Sequence, residues 1–407
     1  MIGVFTMHKI RSKIISVITA ILLLSTAAAG CAETQAVSGT AATNLISATA
    51  AVQVAYSATA AATDTAELFS DRDLAQTADL TAATSIKLVS NQDVTLNQEG
   101  VYVISGEAEN VTIVVEAAAE AKVQIVLNGV SITNTNAPAI YVKTAAKVFI
   151  TSTGSQNKLS VTGSYVADGE TNLDAVIFSK ADLTLNGTGT LTVVSKSGNG
   201  ITSKDKLKIA GGVYTITSAA DALEAHDAIL VNGGILTIDA GKDALQCEND
   251  VDATLGYIQI LNGTLTITAA DDAIRGNSYV QIDGGTINIQ TCDEGIEATY
   301  IEINGGQITL YAKNDGINAA PKVSGTVAIV VNGGTINLTI GSGDTDGFDA
   351  NGNITINGGT INVQATSAFD ADGTAVLNSG TVTVNGVQIT QITQTMGGGG
   401  AGGGMRR

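Results

Sequence analysis

The chain has 407 residues and a formal net charge of −18, and it contains 46 glycines, 2 prolines and no tryptophan. The acidic balance argues against nucleic acid as a partner, because nucleic-acid binders need a basic face, and it is compatible with bound divalent cations. The many glycines between short β-branched runs argue against long helices and favour a β fold. Three cysteines do not make a disulfide framework, so Cys247 and Cys292 are predicted to be isolated buried thiols.

The segment 1–31 has the pattern of a bacterial signal peptide. Three basic residues between positions 9 and 13 precede an apolar region, 14–24, and a run of small residues that ends at Cys31. The ending Ala28-Ala29-Gly30-Cys31 resembles a lipobox, which predicts lipidation of Cys31 and a secreted, lipid-anchored protein at the cell surface. Because Ala28 stands where a lipobox usually has Leu, plain secretion and retention as a membrane anchor are the alternatives.

Two segments of low complexity flank the region with a strand pattern. Residues 32–77 are rich in Ala, Thr and Ser, which predicts a linker that holds the folded part away from a membrane. As an alternative, residues 64–80 form a helix that caps the first coil. At the other end, the glycine run within 397–407 predicts a disordered tail.

An alternation of apolar and polar residues starts near Thr84 and marks half-buried strands. From position 128 onward an Asn-Gly or similar pair returns at nearly regular intervals, for example at positions 262, 283, 304, 332 and 357. A regular period of about 22 residues indicates stacked repeats of three short strands. We therefore predict an all-β fold, a right-handed three-sided parallel β-helix, over residues 78–396. The Asn and Gly residues are assigned to corners, where stacked Asn amides can form a ladder.

A second phrase consists of an acid, a small residue, an apolar residue and a polar residue, and it returns once per repeat between positions 221 and 349. In a parallel β-helix, equivalent positions of successive coils lie about 4.8 Å apart. The phrase therefore predicts two columns of side chains along one edge. The first column contains Asp221, Asp243, Asp272, Glu294, Asp315 and Asp346, and the second column contains Glu224, Gln246, Arg275, Glu297, Asn318 and Asp349.

Carboxylates at this spacing repel one another unless a base, a proton or a cation intervenes. Few bases accompany these acids, so the sequence predicts Ca²⁺, which takes about six to eight oxygen ligands in flexible geometry. Cys and His are too few and badly spaced for zinc. For the first column the alternative is structural, with each Asp accepting amide hydrogen bonds at a turn. The candidate ligands are Asp221, Glu224, Asp243, Asp271, Asp272, Asp293, Glu294, Glu297, Asp315, Asp346, Asp349 and Asp370.

Several phrases resemble a known family. Asp-Gly-Ile-Asn-Ala at 315–319, Val-Leu-Asn-Gly-Val-Ser-Ile at 126–132 and the repeated Ile-Asn-Gly-Gly-Thr-Ile are similar to segments of bacterial secreted carbohydrate-binding β-helix proteins, whose fold is of the pectate lyase type. The resemblance covers about residues 84–394. It implies an acidic polysaccharide of the polygalacturonate type as partner and calcium as cofactor.

Three functions fit these features. The first is calcium-dependent binding of an acidic polysaccharide without cleavage, because an acidic edge repels a polyanion unless a cation bridges them. The second is a calcium-dependent lyase of the pectate type, for which Arg275 is the one candidate base; its alternative role is to neutralise neighbouring acids. The third is a structural stalk or adhesin. Tyr279 and Tyr300 are expected to share one column, and together with Arg275 they are candidate sugar contacts.

Overall fold

The computed structural model describes residues 65–343 and 345–393. The predicted signal peptide with Cys31, residues 32–64 of the predicted linker and the glycine-rich tail lie outside the described residues. Within the described part, 33 strands and two four-residue helices are joined by turns. None of the helices in that part has the length and apolar character needed to cross a membrane.

The strands wind into a parallel β-solenoid of about 12 turns with about 24 residues per turn. Each regular turn contributes one run of residues to each of three faces, so the predicted all-β β-helix is confirmed. The mean turn is longer than the predicted repeat because some turns carry insertions, such as the loops at 248–256 and 320–327.

The first and second faces belong to one 21-stranded sheet, and the third face is a separate 12-stranded sheet. The strands of the first face alone are β1 (Thr84–Lys87), β7 (Lys147–Ser152), β10 (Asp182–Gly187), β19 (Tyr279–Ile282), β22 (Tyr300–Ile303), β25 (Ala328–Val331), β28 (Asn353–Ile356) and β31 (Ala375–Leu377). Five longer strands bend from the first face to the second: β3 (Gly100–Glu109), β5 (Lys122–Asn134), β13 (Lys206–Ser218), β15 (Ala228–Ala240) and β17 (Tyr257–Ala269).

The second face is completed by β8 (Gln156–Val161), β11 (Thr190–Ser195), β20 (Thr286–Cys292), β23 (Gln307–Ala312), β26 (Thr335–Ile340), β29 (Thr360–Gln364), β32 (Thr381–Val384) and β33 (Val387–Ile389), of which β33 alone pairs antiparallel. The third face contains β2 (Val94–Leu96), β4 (Ile113–Glu116), β6 (Ile140–Thr144), β9 (Ala175–Ser179), β12 (Asn199–Ser203), β14 (Leu223–Ala225), β16 (Leu245–Cys247), β18 (Ile274–Gly276), β21 (Ile296–Ala298), β24 (Ile317–Ala319), β27 (Asp346–Ala350) and β30 (Ser367–Ala371). Most third-face strands of the second half are very short, which places the acidic phrases at their ends.

The corner between the first and second faces carries the predicted asparagine ladder. Asn378 donates to Asn357, Asn357 to Asn332, and Asn332 to Asn304, each from Nδ2 to Oδ1 over 2.7 to 2.9 Å. Asn304 donates in turn to Asp283 Oδ1 at 2.8 Å. The glycine two residues after each of these corner residues has a positive φ, which residues with a Cβ rarely adopt. The prediction that the Asn-Gly phrase builds the scaffold is confirmed.

Stacked aliphatic columns fill the interior of the solenoid. Burial of each such side chain contributes about 1.5–3 kcal/mol. Cys247 and Cys292 are buried free thiols within this core, as predicted. One first-face column of register partners, all fully buried, consists of Ile260, Ile282, Ile303, Val331 and Ile356.

Residues 65–77, which we call the strap, lie across the outside of the first face. The strap contains two short helices, α1 (Thr65–Leu68) and α2 (Asp71–Leu74). The alternative given from the sequence is a single helix over 64–80 at the end of the solenoid. Phe69 between them is buried against Ala210, Ala228 and Leu230. The apolar contact and the buried Asp73 of α2 explain why this segment folds onto the side of the solenoid.

Candidate functional site

The third face brings the second column into register. Glu224, Gln246, Arg275, Glu297, Asn318 and Asp349 are consecutive strand partners, and Asp370 extends the column by one further turn. The middle residue of a three-residue strand points away from the core because its two neighbours point inward. The predicted column is therefore present along one edge of the solenoid, which we call the acidic edge.

The first column is tied together by hydrogen bonds from main chain to side chain. The amide of Asp243 donates to Asp221 Oδ1 at 3.0 Å, and the amide of Asp272 donates to Asp243 Oδ1 at 2.9 Å. In the same way, the amide of Asp346 donates to Asp315 Oδ1 at 2.7 Å. One oxygen of each accepting carboxylate thus caps the next turn, as the structural alternative predicts.

Two bases neutralise the middle of the acidic edge. Arg275 Nη1 lies 3.6 Å from Asp243 Oδ2, and Arg275 Nε lies 3.4 Å from Glu297 Oε2 and 3.9 Å from Asp272 Oδ2. Lys322 Nζ lies 2.5 Å from Glu297 Oε1. Burial lowers the pKa of Arg275, but the surrounding carboxylates outweigh it and raise the pKa above its ordinary value. A guanidinium held in this way is a poor proton acceptor, so the geometry supports the neutralising role of Arg275.

The carboxyl groups around Arg275 hold protons unusually strongly. Burial, followed by the charge of neighbouring acids, raises the pKa of Asp272 to about 9. Burial is also the main reason why the pKa of Asp243 rises to about 6 and that of Glu294 to about 7. Burial thus disfavours the charged form of these carboxyl groups, and the neighbouring acids add to the effect.

Beyond Asn318 the acidic edge has a second cluster, formed by Asp346, Asp349 and Asp370. Oxygen atoms of these three half-buried residues lie within 4.8 Å of one another. Burial and then the neighbouring carboxylates, including Asp315, raise the pKa of Asp349 to about 6. In the described part of the chain, no Lys or Arg forms an ion pair with Asp349 or Asp370, in contrast to the neutralised middle. We call this group the C-terminal acidic cluster.

Asn318 adds a neutral oxygen beside the C-terminal acidic cluster. Asn318 is buried and is the register partner of Asp349. Its Nδ2 donates to Glu294 Oε2 at 2.9 Å, whereas its Oδ1 is buried without a hydrogen-bond partner among the described residues. A buried acceptor without a donor, one turn before Asp349, fits a hard cation with oxygen ligands. The sequence places Asn318 in the second column, and that position is the signal by which this oxygen can be recognised.

Five of the other predicted ligands form two further groups, and Asp221, Glu224, Asp293 and Asp315 belong to neither. Asp243, Asp271 and Asp272 form one group with oxygens within 4.8 Å, and Asp272, Glu294 and Glu297 form another. Both include acids that pair with Arg275 or Lys322. Glu224 lies apart and is paired with Lys204 at 2.8 Å, and Asp221 caps the turn of Asp243. Asp293 belongs to none of the three groups in the described residues.

The candidate sugar-contacting tyrosines lie on the first face, away from the acidic edge. Tyr279 and Tyr300 are register partners in one column, as expected. The ring of Tyr279 stacks on that of Tyr257 with centroids 4.6 Å apart and an interplanar angle of 10°. Tyr300 is buried, which raises the pKa of its hydroxyl to about 12. Tyr257 and Tyr279 each turn one ring face toward the other, so these two faces are closed to a ligand.

Substitution of Arg275 tests its neutralising role. Arg275→Met leaves Asp243, Asp272 and Glu297 without their common base, and loss of one partner of a buried pair costs about 3–5 kcal/mol. We expect the free energy of unfolding to fall by about 3 kcal/mol at pH 7. The decrease should be smaller at pH 5, where more of these acids are protonated. Urea unfolding at the two pH values measures the difference. Lys313→Met, which removes an exposed base, is the control, and an equal loss at both pH values contradicts the assignment.

Known proteins resemble this chain. A family model for carbohydrate-binding domain-containing protein matches residues 90–343 and 292–388. A carbohydrate-binding domain-containing protein of Acetivibrio thermocellus is 38% identical over 131 residues, and the chain spans only 46% of that relative's length and 31% of its own. A solved polysaccharide lyase-like protein from C. thermocellum, as a gadolinium derivative, aligns over 75% of this chain and 97% of its own at 24% identity, with a TM-score of 0.43. Because the family model matches well over half of the sequence, the chain belongs to the carbohydrate-binding domain-containing protein family.

Proposed function

We propose that this protein binds an acidic polysaccharide through Ca²⁺ on its acidic edge and does not cleave it. Membership of the family implies a polysaccharide partner. The observation that carries the finer proposal is the C-terminal acidic cluster, where Asp349 and Asp370 have no basic partner among the described residues. Three carboxylates and the Asn318 amide oxygen offer the hard oxygen donors that Ca²⁺ prefers.

Calcium in this cluster would explain how an acidic protein holds a polyanion. The charge of −18 repels a polyuronate at long range. Asp346, Asp349 and Asp370 are half-buried, so an ion bound there keeps a side open to solvent. Ligand carboxylates can complete the coordination shell on that open side, because Ca²⁺ accepts about six to eight oxygens. Binding of this kind needs both the ion and the ligand's carboxylates.

The proposed location is the cell surface. Residues 1–31 support it, with a basic region, an apolar region and the lipobox-like ending before Cys31. We infer that Cys31 is lipidated and that the chain is secreted and anchored by its lipid. Metabolic labelling of the full chain with a fatty acid, compared with Cys31→Ala, tests this step.

A pectate-type lyase is the second candidate, favoured by the position of Arg275 on the same edge. The base would have to abstract the proton α to the uronate carboxylate, near the metal. Arg275 instead pairs with three carboxylates, and the chain supplies no other Arg in the described residues after Arg72. Formation of unsaturated uronates from polygalacturonate, measured by ultraviolet absorbance, would favour the lyase if Arg275→Ala abolishes it.

A glycan array with Ca²⁺ or EGTA tests the proposed function. We expect strong retention on polygalacturonate and other polyuronates in Ca²⁺, much weaker retention in EGTA, and no retention on the methyl-esterified polymer. Retention of no polyuronate in Ca²⁺ would contradict the proposal. If the protein nevertheless melts at a higher temperature in Ca²⁺, that result would favour the third candidate, a structural stalk in which the ion serves only stability.

A further inference from the structure

The strap holds a buried carboxylate against a built pocket of the first face. Lys147 Nζ lies 2.6 Å from Asp73 Oδ1, and Lys208 Nζ lies 3.7 Å from Asp73 Oδ2. Thr184 Oγ1 donates to Asp73 Oδ1 at 2.6 Å. The Asp73 side chain is only 1% exposed, and both lysine side chains are 12% exposed. Two ammonium groups and one hydroxyl from the sheet thus enclose a single carboxylate, whose Oδ2 also accepts from the Ser70 amide at 2.9 Å and the Ser70 hydroxyl at 2.8 Å within the strap.

The three enclosing groups belong to the rigid solenoid. Lys147 lies on β7, Thr184 on β10 and Lys208 on β13, and these strands are paired neighbours. Thr184 is the direct register partner of Lys208. Strand pairing fixes the positions of these residues, whereas the carboxylate comes from a segment that precedes the first strand. The pocket is therefore part of the scaffold, and its occupant is not.

Most lysines lie in the half of the solenoid that contains this pocket, where they nearly balance 11 Asp and Glu residues between positions 87 and 208. Ten lysines lie between Lys87 and Lys208, both included. In the described chain after Lys208, the only basic residues of the Lys and Arg types are Lys242, Arg275, Lys313 and Lys322. Asp182 is the register partner of Lys147, and its pKa is raised by burial and by Asp205. A polyanion can meet ammonium groups directly here, whereas on the acidic edge it needs a cation.

An open cleft connects the pocket with solvent. The cleft has a volume of about 570 Å³. Its charged lining consists of Lys122, Lys147, Asp182 and Lys208 from the sheet and Asp71, Arg72 and Asp73 from the strap. The Arg72 guanidinium lies over the Phe149 ring at 4.5 Å and donates to Gln124 Oε1 at 3.1 and 3.3 Å. The Phe149 ring is buried beneath Arg72, so a sugar would meet the ring and the two ammonium groups only after the strap has left.

We propose that Lys147, Thr184 and Lys208 form a uronate-binding subsite that Asp73 of the strap fills in the absence of ligand. The proposal rests on the proposed binding of acidic polysaccharide and adds a second, calcium-independent contact. A ligand carboxylate that replaces Asp73 keeps the two buried ammonium groups paired, so the exchange leaves no charge unbalanced. A tethered carboxylate competes at an effective concentration on the order of mM. A polymer with many carboxylates can therefore displace the strap, whereas free galacturonate cannot.

Binding of polygalacturonate in EGTA tests the subsite apart from the acidic edge. Wild type is compared with Phe69→Ala/Asp73→Asn, which removes the apolar contact and the competing charge of the strap. We expect the double variant to bind about tenfold more tightly in EGTA. Adding Lys147→Met and Lys208→Met to the double variant should abolish this gain in affinity. The double variant should gain no affinity for methyl-esterified polymer. An unchanged affinity in the double variant, or a gain that survives loss of both lysines, overturns the proposal.

Limited proteolysis of the unaltered full chain gives an independent readout. Trypsin cleaves after Arg72, which the folded strap protects through Gln124 and Phe149. We expect polygalacturonate in EGTA to accelerate this cleavage severalfold, and free galacturonate to leave it unchanged. Protection of Arg72 by the polymer would overturn the proposal. Wild type could instead show no calcium-dependent retention while the double variant gains affinity in EGTA. In that case the proposed function of the acidic edge is wrong and the subsite is supported.

Discussion

Added Ca²⁺ is expected to raise the melting temperature of this protein by about 5 °C at pH 7 and by much less at pH 5. An ion at a concentration of about 100 times its Kd stabilises the folded state by about 2.7 kcal/mol. The melting temperature of a chain of this size rises by about 2 °C per kcal/mol of stabilisation. The pKa of Asp349, about 6, gives the pH dependence. At pH 5 protons occupy oxygens that the ion needs, because metal ligands must be deprotonated.

Without calcium, the stability is expected to fall between about pH 4 and pH 7. A carboxyl with a folded-state pKa above its unfolded value contributes stability that is fully present below the unfolded pKa and is lost as the pH rises through the folded pKa. The ordinary pKa of Asp243 and Asp349 is 3.8, and both values rise to about 6 in the fold. Thermal melts in EGTA from pH 4 to 8, repeated with Ca²⁺ and with Mg²⁺, measure both effects. A pH-independent melting temperature in EGTA, or equal shifts with the two ions, contradicts this prediction.

The double substitution Asp349→Asn/Asp370→Asn is expected to remove the calcium response and to raise the melting temperature in EGTA. The change deletes two mutually repelling charges, so the protein without calcium becomes more stable by about 1 kcal/mol or more. It also removes two of the three carboxylates of the C-terminal acidic cluster, so we expect calcium-dependent affinity for polygalacturonate to fall at least about tenfold. Melts with and without Ca²⁺, and electrophoresis through a gel containing polygalacturonate, measure the two effects.

A matched control separates the cluster from total charge. Glu107→Gln/Asp239→Asn removes the same two charges from the second face. This control should keep both the calcium-dependent shift in melting temperature and the retardation in the gel. If Asp349→Asn/Asp370→Asn retains calcium-dependent retardation, the ion that serves binding lies elsewhere on the edge.

The repeat and its columns could be predicted from the sequence because strand pairing fixes them. Once the period places Asp315 and Asp346 in equivalent turns, the backbone ladder determines that they are neighbours. Which acids are neutralised could not be predicted in this way. Lys322 lies in the inserted loop 320–327 and reaches back to Glu297, and a repeat pattern does not specify where an insertion directs its side chains.

The strap is the larger departure from the sequence pattern. Residues 65–77 contain no repeat, although they carry more charged residues than the Ala- and Thr-rich segment before them. The structural roles of Phe69 and Asp73 depend on contacts with residues far along the chain, such as Ala210 and Lys147. Contacts of this kind depend on tertiary structure, and neither periodicity nor local propensity encodes them.

The asparagine ladder at the corner gives the solenoid an electrical polarity. From Asn378 to Asn304, every side-chain amide donates toward the preceding turn, so the amide dipoles add along the axis as peptide dipoles do in a helix. The positive end of this line meets the carboxylate of Asp283, which also accepts from Gln259 and Gln281. Asp283 is therefore the anion at the positive end of a row of aligned dipoles that spans five turns. The direction of the row comes from the hydrogen bonds, because the Asn side chains themselves are identical.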